Sequence, residues 1–281
     1  MLMELIFNRA ISKTFSYRKF WFVFPVLMLC GLLIVLCRSL SFEAHRWVVL
    51  SLGFLPVFLC AGIFLALGVI LSRMYSQEVR GQTAEIKTIF RQSLEILIGV
   101  AYLSLPLILC YACLWAVMGI FYLLKAIPLI GSTMSVLLSF GPFLLVCGSL
   151  ALSLLTLGML FFVTPYLALK KEIGFEIAKE LLAHVTINPY KNITLLFAGL
   201  LPAIFVVSFL SIAAILTGSN YTVPPDVLSV SMQWFFIMIP FTAIMTPTVV
   251  FFFNFATESF VLVRKSAMKQ EKEQEACASQ S

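Results

Sequence analysis

Charge is scarce in this sequence. Only 11% of its 281 residues are Asp, Glu, Lys or Arg, whereas 61% are hydrophobic and the mean hydropathy is +1.04. That balance excludes a soluble globular protein and points to an integral membrane protein. Histidine is scarcer still. His45 and His184 fall in gaps expected on opposite sides of a membrane, so they share no site, and His184 reads as a surface residue rather than a base. No Gly-x-Ser-x-Gly, His-Glu-x-x-His or P-loop occurs, and no pair of aspartates lies within an apolar run. Neither an enzyme nor a metal or cofactor is therefore expected. The net charge of +6 does not make nucleic acid an expected partner, because the basic residues flank apolar runs instead of clustering with a stacking surface.

Cysteine is present seven times, six of them inside or at the edge of apolar runs, where a thiol is expected to serve as a small packing group. No disulfide framework follows. Cys110-Tyr-Ala-Cys113 has the spacing of a redox or metal pair. It lies in the middle of an apolar run, where a thiolate is poorly solvated, and is read as packing.

What the chain has is six apolar runs, roughly 20–37, 47–71, 96–124, 142–169, 193–217 and 232–263. Each is long enough for a helix to cross a bilayer, which takes about 20 residues. They are continuously apolar, without the alternation of barrel strands. The expected fold is all-α: a polytopic membrane helix bundle of six transmembrane helices as three hairpins, with cytoplasmic amphipathic linker helices. The domain plan is a basic amphipathic segment at 1–19, a membrane domain at 20–263 and a charged tail at 264–281. Basic residues followed by an apolar run without a small-x-small cleavage site predict an uncleaved signal anchor at the start.

The basic residues alternate between gaps. Segments 1–19, 72–95, 170–192 and 264–281 hold four each, sixteen in all, against three in the gaps between them: Arg38, Arg46 and Lys125. The positive-inside rule then places both termini and every second gap in the cytoplasm. Trp21, Tyr75 and Tyr166 are expected to mark the inner interface, and Trp47, Tyr122 and Trp234 the outer one.

Three basic segments are read as in-plane amphipathic helices. In 76–95, Val79, Ile86, Phe90 and Leu94 fall near one face, with Arg80, Lys87 and Arg91 beside it. In 171–186, Ile173, Ile177, Leu181 and Val185 repeat every four residues, until Asn188-Pro189 ends the helix. In the amino-terminal segment, Leu2, Leu5, Ile6 and Phe15 oppose Arg9, Lys13 and Lys19. Residues 126–141 carry no charge and are expected in the outer interface, with shallow re-entry between helices as the alternative, while 218–231 reads as a polar turn. The tail is expected to be disordered or a frayed helix.

Few positions invite a functional assignment. Asn254 and Glu258, four residues apart on one helical face, form a candidate polar site at the inner end of the last span. It is read as an interfacial carboxylate bonded to a neighbouring helix or to a basic linker, with a cation or proton site as the alternative. Gly62 with Ala66, Ala112 with Ala116, and Ser149 with Ser153 are candidate helix-packing pairs. Pro25, Pro106, Pro202, Pro240 and Pro247 are candidate hinges.

The runs Phe20-Trp-Phe-Val-Phe-Pro25, Trp234-Phe-Phe-Ile-Met-Ile-Pro240 and Phe251-Phe-Phe-Asn-Phe-Ala-Thr-Glu258 resemble a family of uncharacterised polytopic membrane proteins of chlamydiae. That resemblance spans nearly the whole chain and implies a bacterial inner membrane, without an activity. More distantly, Pro165 followed by an amphipathic helix ending near Pro189 is similar to the membrane portion of some glycerophosphodiesterases, whose catalytic domain has no counterpart here. The leading expectation is a non-enzymatic scaffold or accessory protein. Its partners would be the bilayer, anionic headgroups at the cytoplasmic face, and a membrane or cytoplasmic protein. The alternative is a transporter or channel for a small neutral or lipidic substrate, with a cavity near Gly62, Pro106, Pro202 and Pro240.

Overall fold

A backbone with no water to bond must satisfy its own N–H and C=O groups, and the continuous apolar runs accordingly fold as helices. The computed structural model describes the chain except residues 1, 43, 82–85, 128–139, 170–188, 219–226 and 279–281. For residues 2, 3, 5, 46, 47, 86–103, 126, 189, 218 and 264–278 it gives the backbone alone. Seven helices and no strand occur among the described residues: α1 (Leu2–Ser12), α2 (Tyr17–Leu40), α3 (Arg46–Val79), α4 (Ile86–Ala126), α5 (Phe140–Leu169), α6 (Pro189–Gly218) and α7 (Val227–Ala278). Six of them, α2 to α7, are long and apolar enough to span a membrane. The chain is thus a multi-pass membrane helix bundle.

Each expected hairpin forms, α2 packing on α3, α4 on α5 and α6 on α7. The three are joined because α7 also packs on α1, α2, α3 and α5, and α3 on α5. Side chains fix the direction of the helices. The start of α2, the end of α3 and the later part of α7 meet through Lys19, Glu78 and Asn254, and Arg73 of α3 donates to the carbonyl of Ala168 at the end of α5. The helix ends bordering the basic segments therefore gather at one end of the bundle, the basic end. At the opposite, sparse end, Ser39 of α2 bonds Ser231 of α7, and His45 lies beside Tyr122.

From Val250 to Ser259 every residue of α7 is buried. A helix apolar nearly all round belongs inside its bundle, and here it forms a central post at the basic end. Phe251, Phe253 and Phe255 pack with Val23 of α2, Leu67 and Leu71 of α3 and Phe161 of α5. Phe161 lies near Phe252 and Phe255, with ring centroids 5.8 and 6.4 Å apart. Close approach of α3 depends on Gly68, where a Cβ would come within 2.7 Å of Thr164 and nearer still to the Phe253 ring.

Several expectations change. Residues 76–79 finish α3 and 86–95 begin α4, so the first linker is not an in-plane helix but two helix ends, turned at Arg80 and Gly81. Gly81 has φ +72°, the left-handed conformation that stops helices and suits glycine. The 171–186 helix, and nearly all of the uncharged 126–141 segment, lie outside the described residues. The expected polar turn is helical from Val227 on, and the expected frayed tail continues α7 as helix to Ala278. At 52 residues that helix extends roughly 78 Å, far beyond a bilayer core. Its own backbone bonding, helped by Glu and Lys as good helix formers, carries it through the charged stretch. The five candidate hinge prolines all sit inside uninterrupted helices.

Tyr75 and Tyr166 stand at the basic end, beside Glu258 and Phe260, and are buried against neighbouring helices. Ala112 and Ala116 are exposed, because α4 turns its other face, Ser104, Leu107, Tyr111 and Met118, into the bundle. They do not pack helices within the chain. For the same reason Cys110 and Cys113 are exposed, as is Cys147, whereas Cys30, Cys37 and Cys60 are buried packing groups. Gly62 does pack, facing Ser104 of α4. Ser149 is buried and Ser153 half-buried one turn on.

Candidate functional site

Two features stand out in the bundle, one polar and one apolar. At the basic end the candidate pair Asn254 and Glu258 projects from the central post into a cluster completed by three helices. Glu258 Oε1 accepts from Arg9 Nη1 of α1 at 3.1 Å, and its Oε2 accepts from the Tyr75 hydroxyl of α3 at 3.1 Å. Asn254 Oδ1 accepts from Lys19 Nζ of α2 at 3.3 Å. The ammonium of Lys19 also lies 2.8 Å from Glu78 Oε2 and donates to the carbonyl of Lys13 at 3.2 Å. Lys19 thus directs its charge at three oxygens, and its Nζ stands 5.4 Å from the Tyr75 ring centroid, within cation–π range.

The arrangement ties α1, α2, α3 and α7 together. Two cations, Arg9 and Lys19, meet two carboxylates, Glu78 and Glu258, so the cluster is neutral. The Glu258 oxygens and Asn254 Oδ1 are each taken by a protein donor, and the Lys19 ammonium stands where a bound cation would otherwise sit. This geometry favours a latch over a cation site, with the carboxylate bonded to a neighbouring helix and to the amino-terminal segment. Asn254 Nδ2 has no acceptor among the described residues.

Lys19, Tyr75 and Glu78 escaped the sequence reading. Lys19 looks like one headgroup anchor among four, and Tyr75 like an interfacial aromatic. Glu78 carried the available signal: an acid in a basic linker, three residues after Tyr75 and on its helical face.

Toward the sparse end the bundle opens into a chamber of about 530 Å³. Leu27, Cys30, Gly31, Ile34 and Val35 of α2 line it, with Pro56, Cys60 and Phe64 of α3, Ser153, Thr156, Leu157 and Leu160 of α5, Leu200 and Ala203 of α6, and α7 from Trp234 to Phe253. Its floor is the packed layer of Leu27, Leu160, Phe252 and Phe253. Gly62, Pro106, Pro202 and Pro240, around which a cavity was expected, do not line it. Gly62 is covered by Ser104, and Pro106 and Pro240 point outward; the wall is made by their neighbours Ala61 and Ala203.

The chamber offers few polar groups. Of its four hydroxyls, three bond the preceding turn of their own helix: Ser153 to the carbonyl of Ser149 at 2.7 Å, Thr156 to Leu152 at 2.8 Å and Thr242 to Ile239 at 2.9 Å. Such back-bonding leaves an essentially hydrocarbon wall.

Compared with models of protein families, with curated proteins and with solved structures, the chain matches none.

Proposed function

We propose that this membrane protein binds a lipidic substrate inside the bilayer, as a carrier or transporter, and that the chamber is its binding site. The chamber is the observation that carries the reading. Its volume falls within the roughly 300–1,000 Å³ of small-molecule sites. An apolar wall with three of its four hydroxyls bonded internally gives water little to hold, so the fitting occupant is hydrocarbon, and a bilayer supplies acyl chains at high concentration. A hydrated ion or polar solute would lose its water there without compensation.

The scaffold reading rested on in-plane linker helices, and it loses the first of them to α3 and α4. We also place the protein in a bacterial inner membrane with both termini in the cytoplasm. The basic residues and the resemblance to chlamydial membrane proteins support this placement.

Extraction in mild detergent followed by mass spectrometry of bound lipid tests the function. The native chain should retain an acyl lipid in near-stoichiometric amount, and Ala203→Trp, which puts a bulky ring on the chamber wall, should retain much less while keeping its helicity and thermal transition. A native protein that emerges free of lipid, or an obstructed chamber that retains as much, would sink the proposal.

A further inference from the structure

The helices around the chamber pack on one another except at α5 and α6, and an arginine stands beside its wall at the sparse end. Along their basic halves α5 and α6 touch, with Phe161 near the Cα of Gly199. Apart from that contact the two helices do not form a packed pair, although both wall the chamber. The α5 wall (Thr156, Leu157) and the α6 wall (Leu200, Ala203) belong to one chamber without closing against each other. Residues 204–217 of α6 are exposed or at most half-buried. The gap lies within the spans, so it faces lipid tails.

At the sparse end Trp234 lines the chamber, and the guanidinium of Arg38 stands 5.7 Å from its ring centroid. Arg38 is exposed. An arginine beside the mouth of a hydrocarbon chamber, at the level where α2 ends, has the donors and charge to take a phosphate.

We infer that the chamber takes a phospholipid with an anionic headgroup, one acyl chain entering sideways between α5 and α6 while Arg38, steadied on Trp234, holds the phosphate. This rests on the proposed lipid-binding function and adds to it the route of entry and the class of lipid. The apolar wall leaves selectivity to the mouth: it holds acyl chains alike, whereas Arg38 favours a headgroup whose phosphate charge is not already offset by the lipid's own cation.

The test uses the full chain in phosphatidylcholine vesicles containing a small fraction of phosphatidylglycerol with a diazirine on its acyl chain, and a parallel set with diazirine-bearing phosphatidylcholine. After irradiation, labelled residues are mapped. The expected result is label on Leu157, Leu200 and Met245, competed by unlabelled phosphatidylglycerol. Both lipids offer a phosphate, but in phosphatidylcholine its charge is offset by the lipid's own choline, a cation that Arg38 repels, so the anionic lipid should be favoured by about tenfold. That preference should vanish in Arg38→Gln and survive in part in Arg38→Lys, while label on the exposed residues Phe205 and Phe209 stays constant in every variant. Chamber label equal for the two lipids, or a preference untouched by Arg38→Gln, overturns this inference and leaves the lipid-binding function standing. Absence of chamber label with either lipid overturns both.

Discussion

Lys19 and Glu78 form an ion pair of 2.8 Å in which the lysine side chain is wholly buried and the glutamate keeps 30% of its surface. The asymmetry decides which half of the pair the fold can lose. Removing Glu78 leaves a buried ammonium held only by an amide and a carbonyl, an uncompensated charge that typically costs about 3–5 kcal/mol. Removing Lys19 leaves a carboxylate that can turn toward water. Glu78→Gln should therefore lower the thermal transition in detergent more than Lys19→Met, and the double variant should recover part of the Glu78→Gln loss. A larger loss from Lys19→Met would contradict this account of the latch.

Glu258 is held from two sides with unequal strength. Arg9 is 60% exposed, so its pair with Glu258 is worth at most about 1 kcal/mol and weakens in salt. The Tyr75 hydroxyl is buried with its partner, and Tyr75→Phe leaves Glu258 short of a donor, a loss of about 1–3 kcal/mol. Arg9→Gln should leave global stability nearly unchanged yet free α1 from α7, seen as faster amide exchange at Ile6 and Ala10, whereas Tyr75→Phe should lower the whole transition. Slow exchange in α1 of Arg9→Gln would show that apolar packing, including Phe7 on Phe251, holds α1 by itself.

The spans were legible because membrane helices need only length and apolarity, and alternating basic gaps placed their ends correctly at one side of the bundle. The burial of Lys19 was not legible. A lysine beside an apolar run serves equally as a headgroup anchor or as a buried ion, and Glu78, far away in sequence, decides between them. The chamber was harder still, since it lies beside α5 and α6, which do not pack as a pair, and no residue of Leu157 or Ala203 type announces that. Its expected site was drawn from prolines, but these helices run through proline without breaking.

Orientation is tested at Cys277. With the carboxyl terminus in the cytoplasm, an impermeant thiol reagent applied to cells with a permeabilised outer barrier should leave Cys277 unmodified until the inner membrane is lysed. A variant lacking the other six cysteines isolates the signal. Efficient labelling before lysis would reverse the orientation drawn from the basic residues.

Two glycines of α3 separate close packing from mere helix content. At Gly68 an added Cβ would meet Thr164 Cγ2 at 2.7 Å and the Phe253 ring closer still, whereas at Gly53 it would meet nothing within 4 Å. The Gly68 neighbours belong to α5 and to the buried post of α7, and Thr164 is fully buried, so its methyl cannot retreat without repacking. Gly68→Ala should thus lower stability by about 1–3 kcal/mol, the usual range for overpacking. Gly53→Ala keeps every contact and gains helix propensity, so it should be neutral or stabilising by up to about 1 kcal/mol. Equilibrium unfolding of the two variants in the same detergent measures the difference. Equal behaviour would mean that α3 stands further from α7 than the Gly68 contact requires, and the floor of the chamber, which Phe253 helps to form, would then be looser than the packing of the post implies.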